Sequence, residues 1–315
     1  MTRVFTIIGL VGLAAALSFP PDNTDLNAAE PGRSRRLRPL VHTCQPRSSR
    51  QLGGRGCRTD DLERRLSLYL QSSRHTTAME TDLFVSRRAA RDLPWGTPER
   101  LSLGVNSSLS EVTPFLSRDG HLLFFGSIRT GNFELYVSRR RHKRDDSSWD
   151  APTGLPSPVS GPSFDVSPAY VELGGRPQLY FSSDRAGGGG NSRLDIYVTE
   201  LQEDGTWTGP QFVFELNSAA QDGRPAIRFD GLEVIFNSSR GGNNDLYVSR
   251  RDQIWEAWST PVPVSEANSQ SEDIQPTLSG DGRTLYFASL RALDNRGLDL
   301  YVSTRSKRGH HAEED

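Results

Sequence analysis

PTLSGDGRTLYFASLRALDNRGLDLYVSTR, residues Pro276 to Arg305, is the stretch that decides the fold. It holds two runs in which apolar and polar residues alternate, the period of a half-buried strand: Leu285 and Phe287, then Leu300 and Val302. Asp281-Gly282 ahead of the first run is tight-turn chemistry, because the second residue reaches positive φ without a Cβ clash. The same text occurs upstream as PFLSRDGHLLFFGSIRTGNFELYVSRR from Pro114, PAYVELGGRPQLYFSSDRAGGGGNSRLDIYVTE from Pro168 and PAIRFDGLEVIFNSSRGGNNDLYVSRR from Pro225. LSLYLQSSRHTTAMETDLFVSRR from Leu66 is a damaged copy. The chain is built from repeats, and that outranks any local motif.

Three markers hold phase. The arginine after the second strand falls at Arg74, Arg129, Arg185, Arg240 and Arg291, in steps of 55, 56, 55 and 51 residues. W-x-x-P recurs as Trp95/Pro98, Trp149/Pro152, Trp207/Pro210 and Trp258/Pro261. An acid stands three residues before each leading proline: Glu111, Asp165, Asp222 and Asp273. A unit of about 50 residues with four strand-like runs is a propeller blade. Within it, strand a is P-x-x-S, strand b is L-Y-F, strand c is D-L-Y-V, and strand d begins at W-x-x-P.

P-x-x-S-x-D-G-x-x-L-Y-F-x-S-x-R followed by D-L-Y-V resembles the TolB-type propeller repeat, a WD40-like family of secreted bacterial proteins. The resemblance covers roughly residues 66–305. It implies an all-β propeller in an exported protein. Glu172-Leu173-Gly174-Gly175 departs from the S-x-D-G turn, so that turn is expected to be remodelled. The separate N-terminal α/β domain of TolB members is not visible, so the TolB role does not follow.

The ends set the blade count. The first copy has strands b, c and d but carries Thr59 and Arg64-Arg65 where proline and D-G belong; the fifth lacks W-x-x-P after Arg305. Five four-stranded blades over residues 61–308 are expected, with six as the fallback. Residues near Leu37 to Cys44 are the expected source of the missing outer strand, which would cover an exposed sheet edge. With 315 residues, 29 glycines, 19 prolines and a net charge of −2, the composition suits short strands and turns, and bulk charge gives no sign of a nucleic-acid partner.

Residues 1–18 read as an export signal, with Arg3, an apolar run from Val4 to Leu17 and small residues Ala14 to Ala16. The run is short for a membrane span. The location expected is periplasmic or secreted. From Pro31 to Thr59 there are eight arginines and no acid, so residues 19–60 read as a low-order segment. Both cysteines lie there, and in an exported protein a Cys44–Cys57 disulfide is an open option. Residues 309–315 read as a polar tail.

Two sets of residues are candidate sites. The arginine after strand b and the acid opening strand c flank one hairpin in each repeat: Arg74/Asp82, Arg129/Glu134, Arg185/Asp195, Arg240/Asp245 and Arg291/Asp299. Occurrence in all five copies reads as a structural hairpin ion pair, because a site uses one copy of each role. Glu111, Asp165, Asp222 and Asp273 precede the strand that lines the channel, so they are expected at one channel mouth. There they could cap loops, bind a cation, a basic partner or a sugar, or serve as the acid and base of a glycosidase. The glycine-rich Ala186–Gly190 precedes no helix, and the histidines form no metal set, so no cofactor or metal is expected. The expectation is a non-catalytic module that binds another envelope or extracellular protein. The alternative is a carbohydrate-active hydrolase, or a sugar-binding propeller, using the channel-mouth carboxylates.

Overall fold

The computed structural model describes residues 35–36, 66–73, 80–90, 93–143, 145–185, 193–291 and 298–305. They form a five-bladed β-propeller. After the short β1 (Arg35–Arg36), the first blade is β2 (Ser67–Ser72), β3 (Asp82–Arg87) and β4 (Glu99–Arg100). The second is β5 (Glu111–Leu116), β6 (Leu122–Ser127), β7 (Glu134–Arg139) and β8 (Thr153–Gly154). The third is β9 (Asp165–Leu173), β10 (Arg176–Ser183), β11 (Asp195–Glu200) and β12 (Gln211–Phe212). The fourth is β13 (Asp222–Ile227), β14 (Glu233–Ser238), β15 (Asp245–Arg250) and β16 (Val262–Pro263). The fifth is β17 (Asp273–Leu278), β18 (Thr284–Ser289) and β19 (Asp299–Thr304).

All pairings are antiparallel, and β1 supplies the outer strand of the fifth blade, with Arg35 opposite Val302 and Arg36 opposite Tyr301. The strand arrives just before the expected Leu37–Cys44, which lies outside the described residues, as do residues 1–18, Cys44 and Cys57. No described helix is long and apolar enough to cross a membrane. The remodelled turn of the third blade is a two-residue hairpin. Gly174 and Gly175 take φ of 58° and 81° between the paired Leu173 and Arg176.

Alternation along strand b places one ring of phenylalanines wholly inside: Phe125, Phe181, Phe236 and Phe287. The W-x-x-P tryptophans pack between blades, as the repeat implies. Trp149 meets Tyr69 of the first blade edge-on at 6.3 Å, and Trp258 meets Tyr180 of the third at 6.4 Å. Trp95 meets Tyr286 of the fifth at 6.3 Å, so the same contact that joins neighbours also closes the ring. Arg88, Arg140 and Arg251 stack on Trp95, Trp149 and Trp258 at 4.3, 4.4 and 4.2 Å.

Candidate functional site

The four acids before strand a are buried and paired. Glu111, Asp165, Asp222 and Asp273 are each 0% exposed. Their partners are the arginines after strand b of the same blade: Arg129–Glu111 at 3.0 Å, Arg185–Asp165 at 2.7 Å, Arg240–Asp222 at 2.6 Å, and Arg291–Asp273. The register explains the choice, because the first residue of strand a pairs with the last of strand b, as in Glu111 with Ser127 and Asp222 with Ser238. An arginine two residues beyond strand b therefore reaches back across that pair. Each arginine also donates Nε to the strand-b serine and Nη2 to a carbonyl of the preceding loop, for Arg240 to Ser238 at 2.8 Å and Leu216 at 2.5 Å. Its guanidinium lies over the buried phenylalanine and the strand-c tyrosine, at 5.4 Å from Phe236 and 5.1 Å from Tyr247 in the fourth blade. The loop closes the node: Ser218 donates its N–H and Oγ to Asp222 at 2.6 and 2.7 Å. The third blade is the exception. There Asp165 Oδ2 and Ser160 Oγ are buried without hydrogen-bond partners, and burial outweighs Ser183 and Arg185 to hold the Asp165 carboxyl above its ordinary value.

The expected hairpin pairs are accordingly replaced. The ion pairs of Arg129, Arg185, Arg240 and Arg291 go to the acids before strand a rather than to Glu134, Asp195, Asp245 and Asp299. Glu134 instead accepts from Thr130 at 2.8 Å, and Asp82 is held by Arg100 through two bonds of 2.7 Å. Arg74 lies outside the described residues. The strand-c acids sit beside the strand-a acids of the next blade, since Asp222 N–H bonds the carbonyl of Leu194 at 2.9 Å. Burial, reinforced by the charge of Asp222, pushes the Asp195 carboxyl up to about 6. Burial and then Asp273 likewise push up Asp245.

Two residues further along strand a lies a second ring. Thr113, Ser167, Arg224 and Gln275 have φ of 51°, 57°, 56° and 55°, and each is followed by proline. At each, strand a bulges, with two residues opposite one of strand b: Thr113-Pro114 spans the place of Phe125, and Arg224-Pro225 that of Phe236. Proline suits the bulge because it brings no N–H to be left unpaired. Left-handed backbone at a residue with a Cβ costs on the order of 1–3 kcal/mol and clusters at functional sites. The preceding strands fix the ring: Thr113 N–H donates to Gln71 Oε1 at 2.6 Å, and Arg224 N–H to Ser182 Oγ at 2.7 Å. The second blade offers only Gly126 at the matching place, and Ser167 N–H donates instead to Thr113 Oγ1 at 2.9 Å.

This ring lines a cavity of about 220 Å³ on the propeller axis. From Thr113, Ser167, Arg224 and Gln275 the cavity runs toward the turns between strands a and b, reaching Ser117, Phe229 and Gly280. Gln71 and the rest of β2 form another wall, because in the first blade no described strand lies inside β2. Tyr69, Trp95, Phe115 and Tyr286 supply aromatic surface. Gln71 Nε2, Ser167 Oγ and Gln275 Nε2 are buried there without a hydrogen-bond partner. Buried polar atoms are almost always bonded, so three orphans on residues that line one cavity set this region apart from the rest of the core. None of the four expected channel-mouth carboxylates lines the cavity. No cluster of three or more metal-ligating side chains occurs among the described residues. The sequence marks the ring as the residue between the repeat's acid-x and its proline.

No family model matches the chain, and no curated protein matches it. Solved structures do. An α-L-arabinofuranosidase from Lactobacillus brevis aligns with a TM-score of 0.55 at 14% identity, over 76% of this chain and 86% of that one. An arabinanase from Bacillus subtilis aligns at 0.52 and 14%, over 76% and 89%. An α-L-arabinanase from Penicillium chrysogenum complexed with arabinobiose aligns at 0.51 and 14%, over 78% and 75%. The five-bladed fold is shared with these enzymes. At this identity the likeness is one of fold. It corrects the expectation of a non-catalytic binding module, which rested on a propeller being a platform for partners: the same platform carries glycan-cleaving enzymes.

Proposed function

We propose that this propeller is a carbohydrate-active protein of the hydrolase type, holding a glycan end in its axial cavity. The observation that carries the reading is the polar ring beside aromatic surface. Gln71, Thr113, Ser167 and Gln275 line the same space as Tyr69, Trp95 and Tyr286. A sugar offers hydroxyls around its edge and an apolar face, and such a pocket satisfies both. Ligand pockets run about 300–1,000 Å³, so a cavity of about 220 Å³ suits one terminal sugar. Glycoside hydrolysis also requires a carboxyl that carries a proton near working pH. Among the described residues no carboxyl lines the cavity, and Asp195, pushed up to about 6 beside the ion-paired Asp222, stands outside it, so no catalytic acid is assigned. The TolB-type reading of the repeat belongs to this proposal at the level of the blade, and export at the level of location.

The test is calorimetric titration with neutral and acidic oligosaccharides, arabino-oligosaccharides among them, beside an assay for released reducing ends. Wild-type protein is expected to bind at least one class and to release sugar from it. Gln275→Ala is expected to weaken binding tenfold or more with an unchanged melting temperature. Absence of binding and release across the panel would overturn the reading.

A further inference from the structure

The repeat supplies a control for deciding which part of the cavity is particular to this chain. Where the turn between strands a and b keeps its D-G, the residue before it is Arg118, Phe229 or Gly280. A surface turn suits arginine and glycine, whereas phenylalanine brings an apolar ring to a place that offers it little cover. Phe229 is half-buried and lines the cavity at its turn end. Gly280 makes room for it, since a Cβ there would stand only 3.2 Å from Phe229 Cε2. From the second blade, the Arg118 guanidinium reaches to 6.0 Å from the ring centroid. The cavity opens at this end: Ser167 of the polar ring is buried, while Thr277, nearer the turns, is exposed. Leu116, Ile227 and Leu278 add apolar surface to the same wall. Its two turn serines have their hydroxyls engaged. Ser117 donates to Asp119 at 2.5 Å and Ser279 to Asp281 at 2.6 Å, and each accepts a backbone N–H at 2.9 Å, from Leu122 and Thr284.

A cavity of about 220 Å³ that holds one terminal sugar leaves the group linked to that sugar at the open end, against Phe229. A second sugar would bring several hydroxyls to a largely apolar wall, and each hydroxyl taken from water without a partner costs free energy. A phenyl or short alkyl group would bring none and would cover the Phe229 ring. Resting on the carbohydrate reading above, we infer that the cavity selects glycosides whose linked group is apolar, an aryl or alkyl aglycone, with Phe229 as the residue that recognises it. The polar ring then reads the sugar, and the mouth reads what the sugar is attached to.

The experiment compares phenyl and methyl glycosides of arabinose, xylose, glucose and galactose, beside the matching disaccharides. Affinities are measured by calorimetry at pH 7 on the full chain. For at least one sugar, the phenyl glycoside is expected to bind tenfold or more tighter than both the methyl glycoside and the disaccharide. In Phe229→Ala the phenyl glycoside is expected to weaken until that margin is threefold or less. Three results would each overturn the inference while leaving the carbohydrate reading in place: equal binding of phenyl and methyl glycosides, a disaccharide that binds as tightly as the phenyl glycoside, or a margin that survives in Phe229→Ala. Failure of every glycoside and disaccharide would overturn that reading itself. The wild-type comparison needs no variant, so it decides the matter even where Phe229→Ala does not fold.

Discussion

Two rings stand about 7 Å apart along the same four strands, two residues of extended chain, and they behave in opposite ways. The outer ring is the acid–arginine node, and its parts recur in four blades: carboxylate, serine, arginine, buried phenylalanine and tyrosine. The inner ring keeps its backbone, φ near 55° before a proline, while its side chains differ in every blade. Where identity repeats, the residues hold the blade together; where only the backbone repeats, the side chains are available for recognition. The departure at Asp165, with its unpartnered Oδ2, shows that the outer ring also tolerates an incomplete copy.

The sharpest way to break this distinction is to remove an arginine from the outer ring. Asp222 is 0% exposed and Arg240 only 20%. Arg240→Ala leaves that carboxylate buried without its counter-ion and also strips the stack on Phe236 and Tyr247. Breaking one side of a buried pair costs about 3–5 kcal/mol. Denaturant unfolding should show a loss of that size, with the matching change in another blade adding to it, because the nodes share no partners. A loss below about 1 kcal/mol would mean that the node is not what holds the blade.

Much of this was legible in the sequence, and the limits have physical causes. Five blades and the remodelled turn at Gly174-Gly175 follow from periodicity and turn chemistry, which act locally. The arginine's partner did not. Arg129 stands five residues from Glu134 and eighteen from Glu111, so proximity along the chain favoured the hairpin. Strand register places Glu111 opposite Ser127, and register is a non-local fact. The inner ring was hidden for another reason. Left-handed backbone is expected of glycine or asparagine, whereas here threonine, serine, arginine and glutamine adopt it because a bulge between fixed strands leaves no other course.

A smaller effect is expected where the two acid sets meet. Asp195 titrates near 6 in the fold against 3.8 for an ordinary aspartate, so the folded state holds its proton more tightly than the unfolded chain. Its contribution to stability is therefore complete below about pH 4 and is lost as pH rises through about 6. Asp195→Asn should stabilise the protein at pH 7–8 by on the order of 1 kcal/mol, since one pKa unit corresponds to about 1.4 kcal/mol. The gain should vanish below pH 4. Thermal melts across pH 3.5–8 read it directly, and a gain independent of pH would mean that Asp195 is not the titrating group.

The smallest change in stability, and the most telling for the comparison, is expected at Gln275. Its φ of 55° strains a residue with a Cβ, and its Nε2 is buried without a partner. Gln275→Gly removes both penalties. Relief of the left-handed backbone is worth about 1–2 kcal/mol, against roughly 0.5–1 kcal/mol for the added freedom of glycine in the unfolded chain. The net should lie between no change and a gain of about 1.5 kcal/mol. If the inner ring exists for recognition, the same substitution should weaken glycan binding tenfold or more, so that stability and binding move apart. A substitution at the outer ring cannot do this, because its side chains are closed off from the cavity and act only through the fold. Loss of more than 1 kcal/mol at Gln275 with binding intact would make the two rings one structural device and remove the ground for placing recognition in the inner one.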